Sequence, residues 1–266
     1  MKRVFRSPAA TWALILLCAV PVAAQRVERA VLAELFTQWV CGFCPNAEAA
    51  LELLEDEYGG SALCVIAYHD YADPNPLATP ETEARIDWYT DGPPFSGYSD
   101  VFPVVIIDGH TAVAGAIDVE TAAANYRTVI DVDLEAGAPL SLELSGQIGE
   151  TAGQVTIDVG VHDQLGAGPN VLRIVVIERE VESSGQSYLF VTRDILEDEL
   201  LTVSAPGDTA GLTRGFAVDP GWDQTLLDVI AFVQDDGTLE VLQSARLVAQ
   251  TPVEPATWGQ IKALFR

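Results

Sequence analysis

Two cysteines lie two residues apart in Cys41-Gly42-Phe43-Cys44-Pro45, where an apolar extended run over 31–36 gives way to a helical period over 46–58. Thiols at that spacing close a small disulfide ring and so carry two electrons. The dipole at the start of a helix favours the thiolate of the first cysteine, the form that attacks another disulfide. The pattern demands a strand feeding a helix with the dithiol at the junction. A thiol–disulfide site is the leading functional expectation.

The compartment decides what the cysteines mean. Residues 1–24 read as a secretory leader: Lys2, Arg3 and Arg6 are basic, the apolar stretch over 12–20 is too short to span a bilayer, and Val22-Ala23-Ala24 supplies small residues for cleavage. Cys18 would leave with that leader. Three cysteines then remain, Cys41, Cys44 and Cys64, in a chain expected to be exported, to the periplasm, the outer membrane surface or the medium. Disulfides persist there. Cys64 lies in Ala62-Leu63-Cys64-Val65-Ile66-Ala67, the pattern of a buried strand, and reads as a core thiol. The net charge is −25, and removing the leader's three positive charges takes it to −28. Only Lys2 and Lys262 are lysines. Such a chain has no basic surface for nucleic acid or for an anionic bilayer.

Texture divides the mature length in two. Over 25–130, strand-like and helical periods alternate, with strands over 27–36, 63–68 and 104–107 and helices over 46–58, from Pro80 to Tyr89, and from Asp118 to about Ile130. Thr79-Pro80 reads as an N-cap with proline at the first helical position, and Asp108-Gly109 as a turn. This is an α/β pattern. Over 131–249 seven strands follow, many in strict alternation, with Asp235-Asp236-Gly237 as a hairpin turn. That suggests an all-β, immunoglobulin-like sandwich. Residues 194–212 read as a long, partly helical connection. The tail, 250–266, ends in apolar and basic residues and reads as a docked helix or as an attachment signal.

With its preceding strand, its following helix and Phe102-Pro103 ahead of Val104-Val105-Ile106-Ile107, the CxxC resembles the thioredoxin fold. More specifically, the chain resembles the thioredoxin-like bacterial family named for a twenty-eight-kilodalton outer membrane protein. The matching stretches are 34–45, Val65-Ile66-Ala67-Tyr68-His69 with Asp73-Pro74, Arg85 through Trp88-Tyr89 to Phe102-Pro103, and, more loosely, 228–242. The resemblance implies a thioredoxin-like domain joined to a β-rich one, with peripheral outer-membrane association within its range. It also implies a cis bond before Pro103, which would face the dithiol and, with Phe102 and Trp39, border the substrate. Thioredoxin-like sites usually place tryptophan immediately before the first cysteine; here Val40 stands there and Trp39 one position earlier. If Val40 is an insertion, Glu34 matches the buried acid that shuttles a proton to the resolving thiol. Otherwise it is an ordinary exposed strand residue.

Chemistry assigns the roles. Cys41, on the loop side, is the expected nucleophile, and Cys44, one turn inside, resolves the mixed disulfide, the oxidised pair being Cys41–Cys44. No cofactor and no metal is expected, since nothing in the spacing makes His69 and His110 zinc partners of the CxxC. No nucleophile-elbow pattern accompanies any serine. The expected partners are protein thiols or disulfides and an unidentified redox partner. The alternative is a non-enzymatic surface-binding protein in which the same disulfide is structural.

Overall fold

The computed structural model describes residues 26–71 and 76–248. The leader, the tail and the Asp73-Pro74 pair lie outside the described residues. The first part of the chain runs β1 (Val31–Thr37), α1 (Cys44–Tyr58), β2 (Leu63–His69), α2 (Pro80–Thr90), β3 (Val104–Ile107), β4 (Thr111–Ala114) and α3 (Val119–Ala136). β1 pairs parallel with β2 and antiparallel with β3, and β4 closes a hairpin on β3 across the Asp108-Gly109 turn. The first strand starts at Val31 rather than Val27, which makes only an isolated bridge to Ala138. Every residue of β1 and β2 is buried, because helices or strands cover both faces.

Local chemistry sets the helix limits. Thr79 and Thr82 bond each other's backbone N–H at the start of α2, a capping box built without glutamate. Asp118 caps α3, its carboxylate accepting from the Thr121 N–H at 2.8 Å and from the Thr121 hydroxyl at 3.0 Å. Asp118→Ala is expected to cost about 1 kcal/mol, within the usual N-cap range. It would appear as a lower urea midpoint at unchanged slope.

The second part is all strand: β5 (Leu140–Ile148), β6 (Ala152–Val161), β7 (Asn170–Ser183), β8 (Gln186–Ile195), β9 (Glu199–Leu200), β10 (Thr209–Ala217), β11 (Leu227–Asp235) and β12 (Val241–Val248). The connection over 194–212 holds no helix: it carries the end of β8, the short β9 against β7, and the start of β10. β10, β6 and β5 form a three-stranded sheet over β7, β11 and β12. Leu172, Ile174 and Val176 of β7 and Val229, Ala231 and Val233 of β11 point into that layer. Their alternates, Val175, Ile177, Ile230 and Phe232, join the core that includes β1 and β2. Two covered faces explain why β11 reads as a nearly unbroken apolar run.

The larger sheet runs continuously through both parts, in the order β12-β11-β7-β8-β2-β1-β3-β4. The join is the parallel β2–β8 contact at Ala67 and Val191, reinforced by the Thr192 hydroxyl donating to the Ala67 carbonyl at 2.9 Å. The sheet then curls until β12 reaches β1 and the end of β3. Val241 N–H donates to the Asp108 carbonyl at 2.9 Å, the Ser244 hydroxyl to the Ala30 carbonyl at 2.9 Å, and Ala30 N–H to Gln243 Oε1 at 2.8 Å. Arg29 bonds both the Val241 carbonyl and, at 2.7 Å, the buried Asp108 carboxylate.

Candidate functional site

α1 begins at Cys44 with Pro45 in its first turn, where a missing N–H is harmless. Phe43 holds the N-cap position without a side-chain cap. The Cys44 N–H, one of the helix's unpaired donors, points instead at Cys41 Sγ, 3.1 Å away. Cys41 and Cys44 form a disulfide. Cys44 is 1% exposed, Cys41 is half-buried, and the flanking Val40 and Phe43 are 67% and 56% exposed. One sulfur can be approached from solvent and the other is sealed behind it.

A cleft of about 410 Å³ opens beside the pair. Gln38 and Trp39 from the loop, Cys44 and Glu48 from α1, and Gln186 and Tyr188 from β8 line it. The β-rich part of the chain therefore supplies one wall. Glu48 lies one helical turn after Cys44 and is 3% exposed. One of its oxygens accepts from the Leu189 N–H of β8 at 3.0 Å, the other from the Thr37 hydroxyl of β1 at 3.4 Å. No ion pair reaches it among the described residues. Burial pushes its pKa up to about 7, against the pull of those two hydrogen bonds.

His69 sits across the strand pair from Thr37, its ring edge-on to Tyr188 at 5.7 Å. Neither ring nitrogen has a hydrogen-bond partner among the described residues, and burial, with repulsion from Arg193, pushes its pKa down to about 3. His110 lies elsewhere, in the β3–β4 turn, with Nε2 3.1 Å from Asp133. Among the described residues no group of three or more His, Cys, Asp or Glu is placed to hold a metal ion. Cys64 is buried and free within β2, its thiol pushed up to about 12 by burial.

Glu34 is neither an exposed strand residue nor a neighbour of the dithiol. It is fully buried, and three positions from Thr37 it faces the other side of β1. There Arg85 of α2 donates Nε and Nη2 to Oε1 at 3.0 and 2.8 Å, and the Tyr89 hydroxyl donates to Oε2 at 2.5 Å. Gln234 of β11 extends the network, accepting from Arg85 and donating to Tyr89. The carboxylate is committed to structure, so the proton-shuttle role falls away from this residue.

The Phe102–Pro103 bond is cis, and Pro103 is buried just before β3. Phe36 pairs with Val104, so Pro103 stands at the end of the sheet where the dithiol loop leaves β1. Neither Phe102 nor Pro103 lines the cleft, and Phe102 packs against the main core. Asn46, in the first turn of α1, donates to the Ala116 and Ile117 carbonyls at 3.0 and 3.2 Å. That places Ile117, 74% exposed, close to the dithiol end.

No family model and no curated protein sequence matches the chain. Among solved structures it is similar to HBP35 of Porphyromonas gingivalis, with a TM-score of 0.66 and 19% identity over 86% of this chain and 79% of that one. It is also similar to protein AGR_C_4864 from Agrobacterium tumefaciens, with a TM-score of 0.57 and 18% identity over 87% and 99% of the two chains. A domain of the outer membrane lipoprotein Omp28 from Porphyromonas gingivalis aligns at a TM-score of 0.31 and 15% identity, covering 42% of this chain and 89% of that domain, too weak to argue from. The first two likenesses extend through both the mixed α/β part and the β-rich part.

Proposed function

We propose that the chain is an exported thiol–disulfide exchange protein, a thioredoxin-like half built onto an immunoglobulin-like β half, acting on thiols or disulfides of other proteins. The observation that carries this reading is the asymmetry of the pair. Cys41 is reachable and has a helix-terminal N–H on its sulfur, while Cys44 is enclosed beside a buried carboxylate. Cys41 is the sulfur that joins substrate, and Cys44 is the one that resolves the mixed disulfide. Exposed Val40, Phe43 and Ile117 offer apolar contact to a protein chain lying across the site, with Trp39 on one side and Pro103 at the same end of the sheet. The leader directs the protein to the periplasm, the outer membrane surface or the medium. No described helix is long and apolar enough to cross a membrane.

The competing reading is a surface-binding protein with an inert structural disulfide. Alkylation of the reduced, folded protein at pH 7 separates the two. Cys41 is expected to label several-fold faster than a thiol with no helix start behind it, because the Cys44 N–H and the helix dipole favour its thiolate. Cys44 is expected to stay protected. A pair that reduces only on unfolding, or two sulfurs that label alike, would leave the binding reading standing.

A further inference from the structure

We propose that the cleft beside the dithiol is a specificity pocket for a basic side chain, so that the protein prefers disulfides with an arginine or lysine next to the reacting cysteine. This deepens the exchange reading and rests on it. The cleft opens on the β8 flank of the dithiol, where Glu48 reaches the Leu189 N–H. Asn46, two residues earlier on α1 and so on the opposite side of the helix, meets Ala116 and Ile117 on the flank shared with Pro103. The walls of the cleft are aromatic: Trp39 from the loop, and Tyr188, 5% exposed, whose hydroxyl donates to Gln186 Oε1 at 2.8 Å. Aromatic faces attract a cation. Glu48 lines the same cleft, and its carboxylate accepts only from the Leu189 N–H and the Thr37 hydroxyl among the described residues. About two of its roughly four acceptor sites stay open to an incoming guanidinium or ammonium. Gln38, also in the lining, donates to Asp70 at 3.0 Å, which backs the loop side with a second carboxylate.

The fold supplies no positive charge to this cleft. No arginine or lysine lines it, and the described residues contain no lysine. Every described arginine except Arg26 is paired with an acid of the chain itself. Arg26 donates to the Ala136 and Gly137 carbonyls at the end of α3. An acidic substrate residue would meet like charge, and an apolar one would dry Glu48 without pairing it. A long basic side chain meets both demands, with its stem along Trp39 and Tyr188 and its head on Glu48; the cleft, about 410 Å³, has room for one. Burial raises the Glu48 pKa to about 7, so the pocket gains its charge as pH rises from 6 to 8. The groups facing Glu48 add no change of charge over that range. Tyr188 on β8 has its pKa raised by burial and by Glu48, His69 on β2 is held neutral with a pKa of about 3, and Thr37 on β1 offers a hydroxyl.

The test uses the reduced full-length protein and three symmetric disulfides of one short capped peptide, identical except for arginine, glutamine or glutamate beside the single cysteine. The Cys41 thiolate attacks one peptide sulfur, a mixed disulfide forms and the first peptide leaves as a thiol. Cys44 then attacks Cys41 Sγ and the second peptide leaves. The peptide disulfide gains the two electrons and two protons that the dithiol loses. Each rate is divided by that of mercaptoethanol with the same peptide, which removes the neighbour's effect on the peptide's own reactivity. At pH 8 the arginine peptide is expected to react roughly 10-fold faster than the glutamine one, and the glutamate peptide more slowly than either. The preference is expected to shrink at pH 6 and to persist in about 0.5 M sodium chloride, which screens steering by the acidic surface as a whole. Tyr188→Leu and Glu48→Gln are each expected to remove most of it, and Gln186→Lys, at an exposed position of the cleft, to abolish it. Glu143→Gln, the same charge change as Glu48→Gln but on exposed β5, leaves it intact. Equal corrected rates for the three peptides, a preference that salt removes, or one that all three cleft variants keep would overturn the pocket while leaving exchange standing. Peptides that react no faster with the protein than with mercaptoethanol would overturn the exchange reading and the pocket with it.

Discussion

Arg85→Met is expected to destabilise the protein by about 3–5 kcal/mol, because it strips the partner from a carboxylate that has no route to water. Glu34 is fully buried and Arg85 nearly so, and the pair is held by two guanidinium–carboxylate hydrogen bonds plus the Tyr89 hydroxyl. Arg85 also lies over the rings of Trp88 and Tyr89, 4.6 and 4.5 Å from their centroids, and donates to Gln234 of β11. The network ties β1, α2 and β11 together across the curl of the sheet. Urea unfolding at pH 7 reads the loss. The double variant Glu34→Leu with Arg85→Met is expected to recover most of it, since no uncompensated charge remains, short of the acceptor that Tyr89 loses. A single variant within about 1 kcal/mol of wild type would mean that water reaches Glu34 in the fold, contrary to its full burial.

Much of this architecture is written in local pattern. The strand–dithiol–helix junction, the Thr79 and Asp118 caps and the Asp235-Asp236-Gly237 turn follow from residue chemistry within one or two turns of chain. The curl does not. The parallel contact of Ala67 with Val191, and the meeting of Val241 with Asp108, join segments more than a hundred residues apart, and no short-range period encodes such pairings. Missing the curl is what misplaces Glu34: seen on an isolated strand it is either a surface residue or the dithiol's acid, whereas α2 and β11 enclose it on the other face. Glu48 carried a legible signal. Cys44, Ala47, Leu51 and Leu54 form a buried helical stripe, and Glu48 interrupts it, a charge where spacing demands a hydrophobe. Local/global conflicts of that kind cluster at functional sites. Tyr188 and Gln186 left no comparable trace, because only the β2–β8 junction brings them to the cleft.

Cys44→Ser is expected to convert a turning-over protein into a trap. With the reachable sulfur kept and the enclosed one removed, Cys41 still attacks a substrate disulfide, but nothing inside the site can expel the substrate from the resulting mixed disulfide. Adduct is therefore expected to accumulate stoichiometrically on incubation with a scrambled disulfide protein. It should be visible as a reducible shift on non-reducing gels and absent in Cys41→Ser, whose one remaining site sulfur is 1% exposed. Turnover is expected to fall to background in both variants, so the adduct and not the rate tells the two sulfurs apart. The trap needs an approachable Cys41, which opens into the cleft walled by Trp39 and Tyr188. Adduct formed equally by both variants would mean that the helix start opens enough to expose Cys44. In that case the order of attack assigned to the two sulfurs could not stand.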